Sequence, residues 1–102
     1  MDWYGIRCVF GTKTRDGKVY EERITLWQAS SADEAIALAE AEAETYAADT
    51  GSAYLGLAQS YRLGDTPGPG AEVFSLLRDS PLEPDAYLDA FFDTGTERQQ
   101  RH

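Results

Sequence analysis

The sequence has little of the material from which catalytic, metal-binding or disulfide-stabilised sites are built. It contains one cysteine, Cys8, and one histidine, the terminal His102. One cysteine forms no internal disulfide, and a nucleophile–histidine pair has almost no residues to draw on. Paired Cys or His motifs with metal-ligand spacing are missing, and the glycines of 64–70 follow no phosphate-binding pattern. We therefore predict no catalytic residue, no cofactor and no metal.

Basic residues and long apolar runs are also scarce. The 102 residues include 9 basic and 18 acidic side chains, giving a formal charge of −9. Such a charge opposes nucleic-acid backbones and anionic lipid. No stretch approaches the ~20 apolar residues of a membrane-spanning helix, and the first residues show no signal-peptide pattern. The composition predicts a cytoplasmic protein that binds neither nucleic acid nor membrane.

The residues that are present suit one small domain. A hydrophobic content of 42%, with 12% aromatic residues, argues against a disordered acidic chain. A chain of 102 residues is long enough to bury one core but too short for two. We predict a single α+β domain over residues 1–95 and a frayed C-terminal tail over 96–102.

Turn residues divide this domain into the element order ββαββα. Alternating apolar residues predict strands over 3–12, 19–28, 53–63 and 72–78. A capping-box motif at Ser31 begins a long helix that ends at Gly51, and a short C-terminal helix begins at Pro84. We predict a four-stranded, mostly antiparallel sheet in the order 2-1-3-4, with the long helix on one face. The alternative order places strand 2 beside strand 3 in parallel.

The first hairpin allows two registers that differ in which side chains share a face. A two-residue turn at Asp16-Gly17 leaves Ile24 and Leu26 on the face opposite Ile6. A three-residue loop over 15–17 pairs Ile6 with Leu26 and gathers the apolar residues on one face. We therefore predict the longer loop. The core it implies, beneath the long helix, consists of Ile6, Cys8, Phe10, Ile24, Leu26, Leu55 and Leu57.

That register gives the opposite, outer face of the sheet an aromatic and cationic character. Trp, Tyr and Arg are the residues enriched at interface hot spots, and soluble monomers seldom leave such apolar patches bare. We predict that a second copy of the chain covers this face in a two-fold homodimer. The candidate interface residues are Trp3, Arg7, Arg23, Trp27, Tyr54 and Arg62.

Two other features have a structural interpretation that we favour. Cys8 lies in the middle of an apolar strand face, where a thiol behaves as a small hydrophobic group. Asp85, Asp89 and Asp93 recur every four residues along the short helix, a spacing typical of a solvated helix face.

Several segments of the chain resemble one known family. They are Trp3-Tyr4-Gly5, the runs 20–27, 33–36 and 54–59, and the run 72–76. Together they are similar to the bacterial domain-of-unknown-function family 4288 over roughly residues 3–95. The resemblance implies a small, stand-alone α+β domain, and it supplies no assigned activity, cofactor or catalytic residue.

These observations favour a small, acidic, non-enzymatic protein-interaction domain that forms a homodimer or binds another protein. One version is an immunity- or regulator-like role in which the acidic helices face a basic partner. The alternative is a small-molecule-binding domain, or a weak enzyme, that uses the outer sheet face as a pocket. The polar groups available to such a pocket are Arg7, Arg23 and Arg62. Stacking of single-stranded nucleic acid on the same aromatic and basic side chains is disfavoured by the charge.

Overall fold

The computed structural model of the protein describes residues 1–91 and shows an α+β domain. Its elements, in chain order, are β1 (Asp2–Thr14), β2 (Gly17–Ala29), α1 (Ala32–Thr50), β3 (Ala53–Arg62) and α2 (Pro84–Phe91). The strands form one antiparallel sheet in the order β2-β1-β3. The predicted tail over 96–102, with His102, and the helix residues Phe92 and Asp93 lie outside the described residues.

The predicted fourth strand is wrong. Within residues 1–91 the sheet has three strands, so the order is ββαβα and not ββαββα. Residues 71–74, which we call the crossing segment, instead lie on the outer face of the sheet. The Val73 carbonyl lies over Gly5. The Phe74 and Tyr61 rings pack edge to face, with their centroids 6.2 Å apart. The apolar pattern of this stretch reflects packing onto the face of the sheet rather than pairing at its edge.

The predicted three-residue hairpin loop is also wrong. Thr14 pairs with Gly17, so the turn contains only residues 15–16. Ile6 therefore lies opposite Thr25, which matches neither register considered from the sequence. This register nevertheless puts the same β2 side chains on each face of the sheet as the rejected two-residue turn does. Compared with the predicted three-residue loop, every β2 side chain lies on the other face.

The side chains packed beneath α1 explain which face of β2 turns toward the helix. Trp27 packs against the core, and its indole N–H donates to Thr25 Oγ1 at 2.6 Å. On the same face, Arg23 Nη1 donates to the Glu42 carboxylate of α1 at 2.6 Å. The polar groups of β2 are therefore satisfied under the helix, while its aliphatic residues Ile24 and Leu26 face outward. Both had been predicted as core residues.

The core lies between β1 and an alanine-lined face of α1. Because alanine side chains are short, the helix approaches the sheet closely. As predicted, the Ser31 hydroxyl caps α1 by accepting the Glu34 backbone N–H at 3.1 Å, and Gly51 ends it in the left-handed conformation, with φ 72°. The buried cluster consists of Tyr4, Ile6, Cys8, Phe10, Ala29, Ala35, Ala39, Ala43 and Ala47.

A β-bulge shifts the pairing of β3 with β1. Cys8 pairs with Ala58 but Phe10 pairs with Tyr54, so β3 has extra residues across this interval. Gly56 lies within it at φ 81°, a conformation that favours glycine. Leu55 and Leu57, also predicted as core residues, are half exposed on the outer face. The inner side of β3 is instead supplied by Tyr54 and Ala58, which pack against the buried cluster.

The corrected core makes a testable stability prediction. Ile6→Ala should lower the free energy of unfolding by about 2–5 kcal/mol, because it leaves a cavity at a fully buried position. Leu57→Ala should cost less than ~1 kcal/mol, because that side chain is half exposed. Urea unfolding followed by far-UV circular dichroism measures both values. A larger loss for Leu57→Ala than for Ile6→Ala would contradict this assignment of the faces.

The crossing segment makes a second prediction. A Cβ on Gly5 would lie 2.7 Å from the Val73 carbonyl oxygen, so Gly5→Ala must displace residues 71–74. We expect a loss of about 1–3 kcal/mol and faster amide hydrogen exchange in this segment. Gly68→Ala is the matched control, because a Cβ there meets no heavy atom within 4 Å. Unchanged exchange in Gly5→Ala would show that the segment does not rest on Gly5.

Candidate interaction surface

The structure does not bring the six predicted interface residues together. Trp3 and Arg7 lie on the outer side of β1, whereas Arg23, Trp27 and Tyr54 belong to the side covered by α1. The sixth, Arg62, lies at the end of β3, where it pairs with Asp2 at 3.1 Å. The outer face therefore has fewer aromatic and cationic groups than the sequence indicated, and more aliphatic ones.

On the helix side, Arg23 belongs to a network that joins β2 to α1. Its guanidinium pairs with Glu42 and stacks on the Tyr46 ring, 3.9 Å from the ring centroid. The Tyr46 hydroxyl donates to both carboxylate oxygens of Glu21, at 2.8 and 2.9 Å. The hydrogen bond to Glu42 raises the pKa of Arg23, and the bond to Glu21 raises that of Tyr46. This network gives each of its polar groups a partner within the chain and stabilises the contact between β2 and α1.

A second network connects β3 to α1 next to the single cysteine. The Tyr54 hydroxyl donates to Glu40 at 2.6 Å. The pKa of Tyr54 is raised mainly by burial and to a smaller extent by this hydrogen bond. Burial also raises the pKa of the Cys8 thiol. Both groups are therefore protonated at neutral pH, whereas a reactive cysteine needs thiolate character. The geometry gives Cys8 a packing role.

Arg7 organises the centre of the outer face. Its Nε donates to the Gln59 side chain at 3.1 Å, and its Nη1 lies 3.4 Å from the Glu22 carboxylate. The guanidinium also lies over the Phe74 ring, 4.7 Å from the centroid. Arg7 therefore connects all three strands and the crossing segment, and it is the one predicted interface residue with a central place on this face.

Aliphatic side chains flank Arg7 on both outer strands. Ile24 and Leu26 on β2 are 39% and 38% exposed, and Leu55 and Leu57 on β3 are 50% and 49% exposed. We call these four residues the outer apolar patch. The crossing segment covers the part of the face around Gly5 and Arg7. The alternation that marked these residues in the sequence is real, but it was assigned to the wrong side of the sheet.

A cavity of about 390 Å³ opens at the hairpin end of the same face. Gly11 forms its floor, Tyr20 and Leu55 form apolar walls, and Lys13 and Lys18 stand at its rim. None of the residues predicted as a site from the sequence lines this cavity. The signal was present, since the two lysines stand at equal distances from the residue 15–16 turn, but only the correct loop length places them opposite each other.

The part of the chain described here, residues 1–91, contains no group of three or more His, Cys, Asp or Glu able to hold a metal ion. In the same residues, no helix has the length and apolar character needed to cross a membrane. No protein-family model, curated protein or solved structure matches the chain. The resemblance to family 4288 therefore stays a hypothesis.

Burial of the Tyr54 hydroxyl, together with its hydrogen bond to Glu40, predicts a pH dependence of stability. The pKa of Tyr54 is raised in the folded state above its ordinary value of 10.0, so the folded protein holds this proton more tightly than the unfolded chain. The resulting stabilisation is complete below about pH 10 and is lost as the pH rises further. Tyr54→Phe should therefore lower stability at neutral pH and flatten its decline at alkaline pH, as measured by urea unfolding across the alkaline range.

The matched control is Tyr20→Phe. Within residues 1–91 the hydrogen-bonded tyrosine hydroxyls are those of Tyr46, Tyr54, Tyr61 and Tyr87, so Tyr20→Phe removes no such bond and should leave stability at neutral pH near the wild-type value. If Tyr54→Phe declined as steeply as the wild type above pH 10, the buried Tyr54 hydroxyl would not be the source of the effect.

Proposed function

We propose that the protein is a non-enzymatic interaction domain that forms a homodimer through its outer sheet face. The observation that carries this proposal is the outer apolar patch, because its four aliphatic side chains are 38–50% exposed on one side of the sheet. Contiguous exposed apolar surface on a soluble protein marks an interaction site more often than plain solvent surface.

The charges at the centre of this face suit a second copy of the chain. Arg7 and Glu22 lie side by side there; their side chains are 23% and 63% exposed, and the Phe74 ring covers part of the Arg7 guanidinium. A two-fold axis through this point places Arg7 of one copy near Glu22 of the other, and the reverse contact follows by symmetry. The centre is therefore self-complementary in charge, and aliphatic residues flank it on both sides. An arginine surrounded by apolar groups is typical of an interface hot spot.

A basic protein partner is the weaker candidate. It would have to contact the acidic surface of α1, where Glu40 and Glu42 are engaged by Tyr54 and Arg23 and the exposed acids Asp33, Glu44 and Asp49 remain. A pocket formed by three arginines has no geometric support either, because Arg7, Arg23 and Arg62 lie in three separate environments.

Oligomeric state tests the proposal. Light scattering after size exclusion, over a concentration series up to a few hundred micromolar, should give about twice the chain mass of 11.3 kDa. Leu57→Glu and Leu26→Glu should each give a folded monomer, because both bury a carboxylate in the proposed interface. Leu38→Glu on α1 is the matched control: Leu38 is 41% exposed, the charge change is identical, and the dimer should persist.

Two outcomes would contradict the proposal in different ways. A wild-type monomer at every concentration would overturn the homodimer. A dimer that survives both sheet substitutions but is lost in Leu38→Glu would place the interface on the helix side instead.

A further inference from the structure

The cavity at the hairpin end of the outer face has an apolar interior. A Cβ on Gly11 would lie 3.4 Å from Leu55 Cδ2 and 3.5 Å from Tyr20 Cε1, so these two side chains rise directly on either side of a bare backbone floor. Its volume of about 390 Å³ falls within the range of small-molecule sites. The space between Tyr20 and Leu55 suits a flat or short apolar group.

The rim of this cavity concentrates positive charge in an acidic protein. Lys13 and Lys18 are the only lysines of the chain, and they pair directly across the hairpin. Like charges in directly opposite positions destabilise a sheet. The ion pairs found within residues 1–91 involve Arg7, Arg23 and Arg62, and neither lysine takes part in one. An anion bound between the two ammonium groups would relieve their repulsion.

We propose that this cavity binds a small organic carboxylate with an apolar body. The carboxylate lies between the Lys13 and Lys18 ammonium groups, and the body contacts the Tyr20 ring and Leu55 above Gly11. The apolar walls favour such a molecule over an inorganic anion, and the paired lysines favour it over a neutral one. Aromatic and aliphatic acids share this chemistry, so both belong in the test.

The charged residues of this site differ from those of the proposed dimer interface. The site shares only Leu55 with the outer apolar patch. The dimer depends on the centre of the face, whereas the cavity lies at its hairpin end. Binding is therefore measured on the wild type and on Leu57→Glu, a substitution outside the cavity lining. Binding to both proteins would support the site whatever the oligomeric state proves to be.

Titration of the ¹⁵N-labelled protein with 4-phenylbutyrate, followed by amide chemical shifts, provides the direct test. We expect saturable shifts centred on Gly11, Lys18 and Tyr20. Octanoate tests the aliphatic arm and should produce shifts at the same residues. The neutral alcohol 4-phenylbutanol lacks the carboxylate, and the small anion acetate lacks the apolar body. The affinity for each should therefore be at least about tenfold weaker than that for 4-phenylbutyrate.

Variants of the rim identify the source of the affinity. The double variant Lys13→Gln/Lys18→Gln should weaken phenylbutyrate binding about tenfold or more without loss of fold, since it removes a like-charge pair. Arg15→Gln is the matched control, because it removes a positive charge from the same turn but does not line the cavity. Its affinity should stay within about twofold of the wild type.

Three results would overturn the proposal. The first is the absence of saturable shifts at Gly11 and Tyr20 in both the wild type and Leu57→Glu. The second is equal affinity for phenylbutyrate and phenylbutanol, which would show that the carboxylate is not recognised and that binding is only apolar contact. The third is an equal loss of affinity in Arg15→Gln and in the lysine double variant, which would reduce it to a general effect of charge.

Discussion

The close approach of an alanine-lined helix to the central strand is the constraint on which the rest of the structure depends. Ala35, Ala39, Ala43 and Ala47 bring the α1 backbone near β1, which fills the narrow gap with Ile6 and Phe10. The two outer strands instead contribute large amphipathic side chains on the helix side. Trp27 and Tyr54 supply the apolar bulk there, and each directs its polar atom to a partner within the chain.

This arrangement determines which residues are left on the other side of the sheet. Because Trp27 and Arg23 take the helix side of β2, the aliphatic residues between them must face outward. The bulge at Gly56 has the same effect on β3, where Tyr54 and Ala58 face inward and two leucines do not. The crossing segment then covers the part of the outer face around Gly5 and Arg7, because Gly5 admits its backbone. The outer apolar patch is thus a consequence of how the core is filled.

The same physics explains how far sequence reasoning reaches in this protein. The ends of α1 were predictable, because Ser31 and Gly51 act through local backbone chemistry. Which face of β2 turns toward α1 was not predictable. Both faces carry apolar residues, and the orientation of the strand depends on contacts with a helix distant in sequence. Residues 72–78 have an alternation that suits a strand or a chain lying on a sheet face, and only the position of Gly5 under Val73 distinguishes them. The lysine site depended on the same loop length, and so was missed with it.

The charge distribution gives the outer face a character that the rest of the molecule lacks. A net charge of −9 keeps copies of the chain apart unless a local surface offsets it. On α1, Glu42 is paired with Arg23, and Glu40 accepts a hydrogen bond from the Tyr54 hydroxyl, so both carboxylates have partners within the chain. On the outer face, Arg7 and the paired lysines place positive charge beside exposed aliphatic groups. The proposed self-association and the proposed binding of an organic anion therefore both use this face, where basic side chains lie beside exposed aliphatic groups.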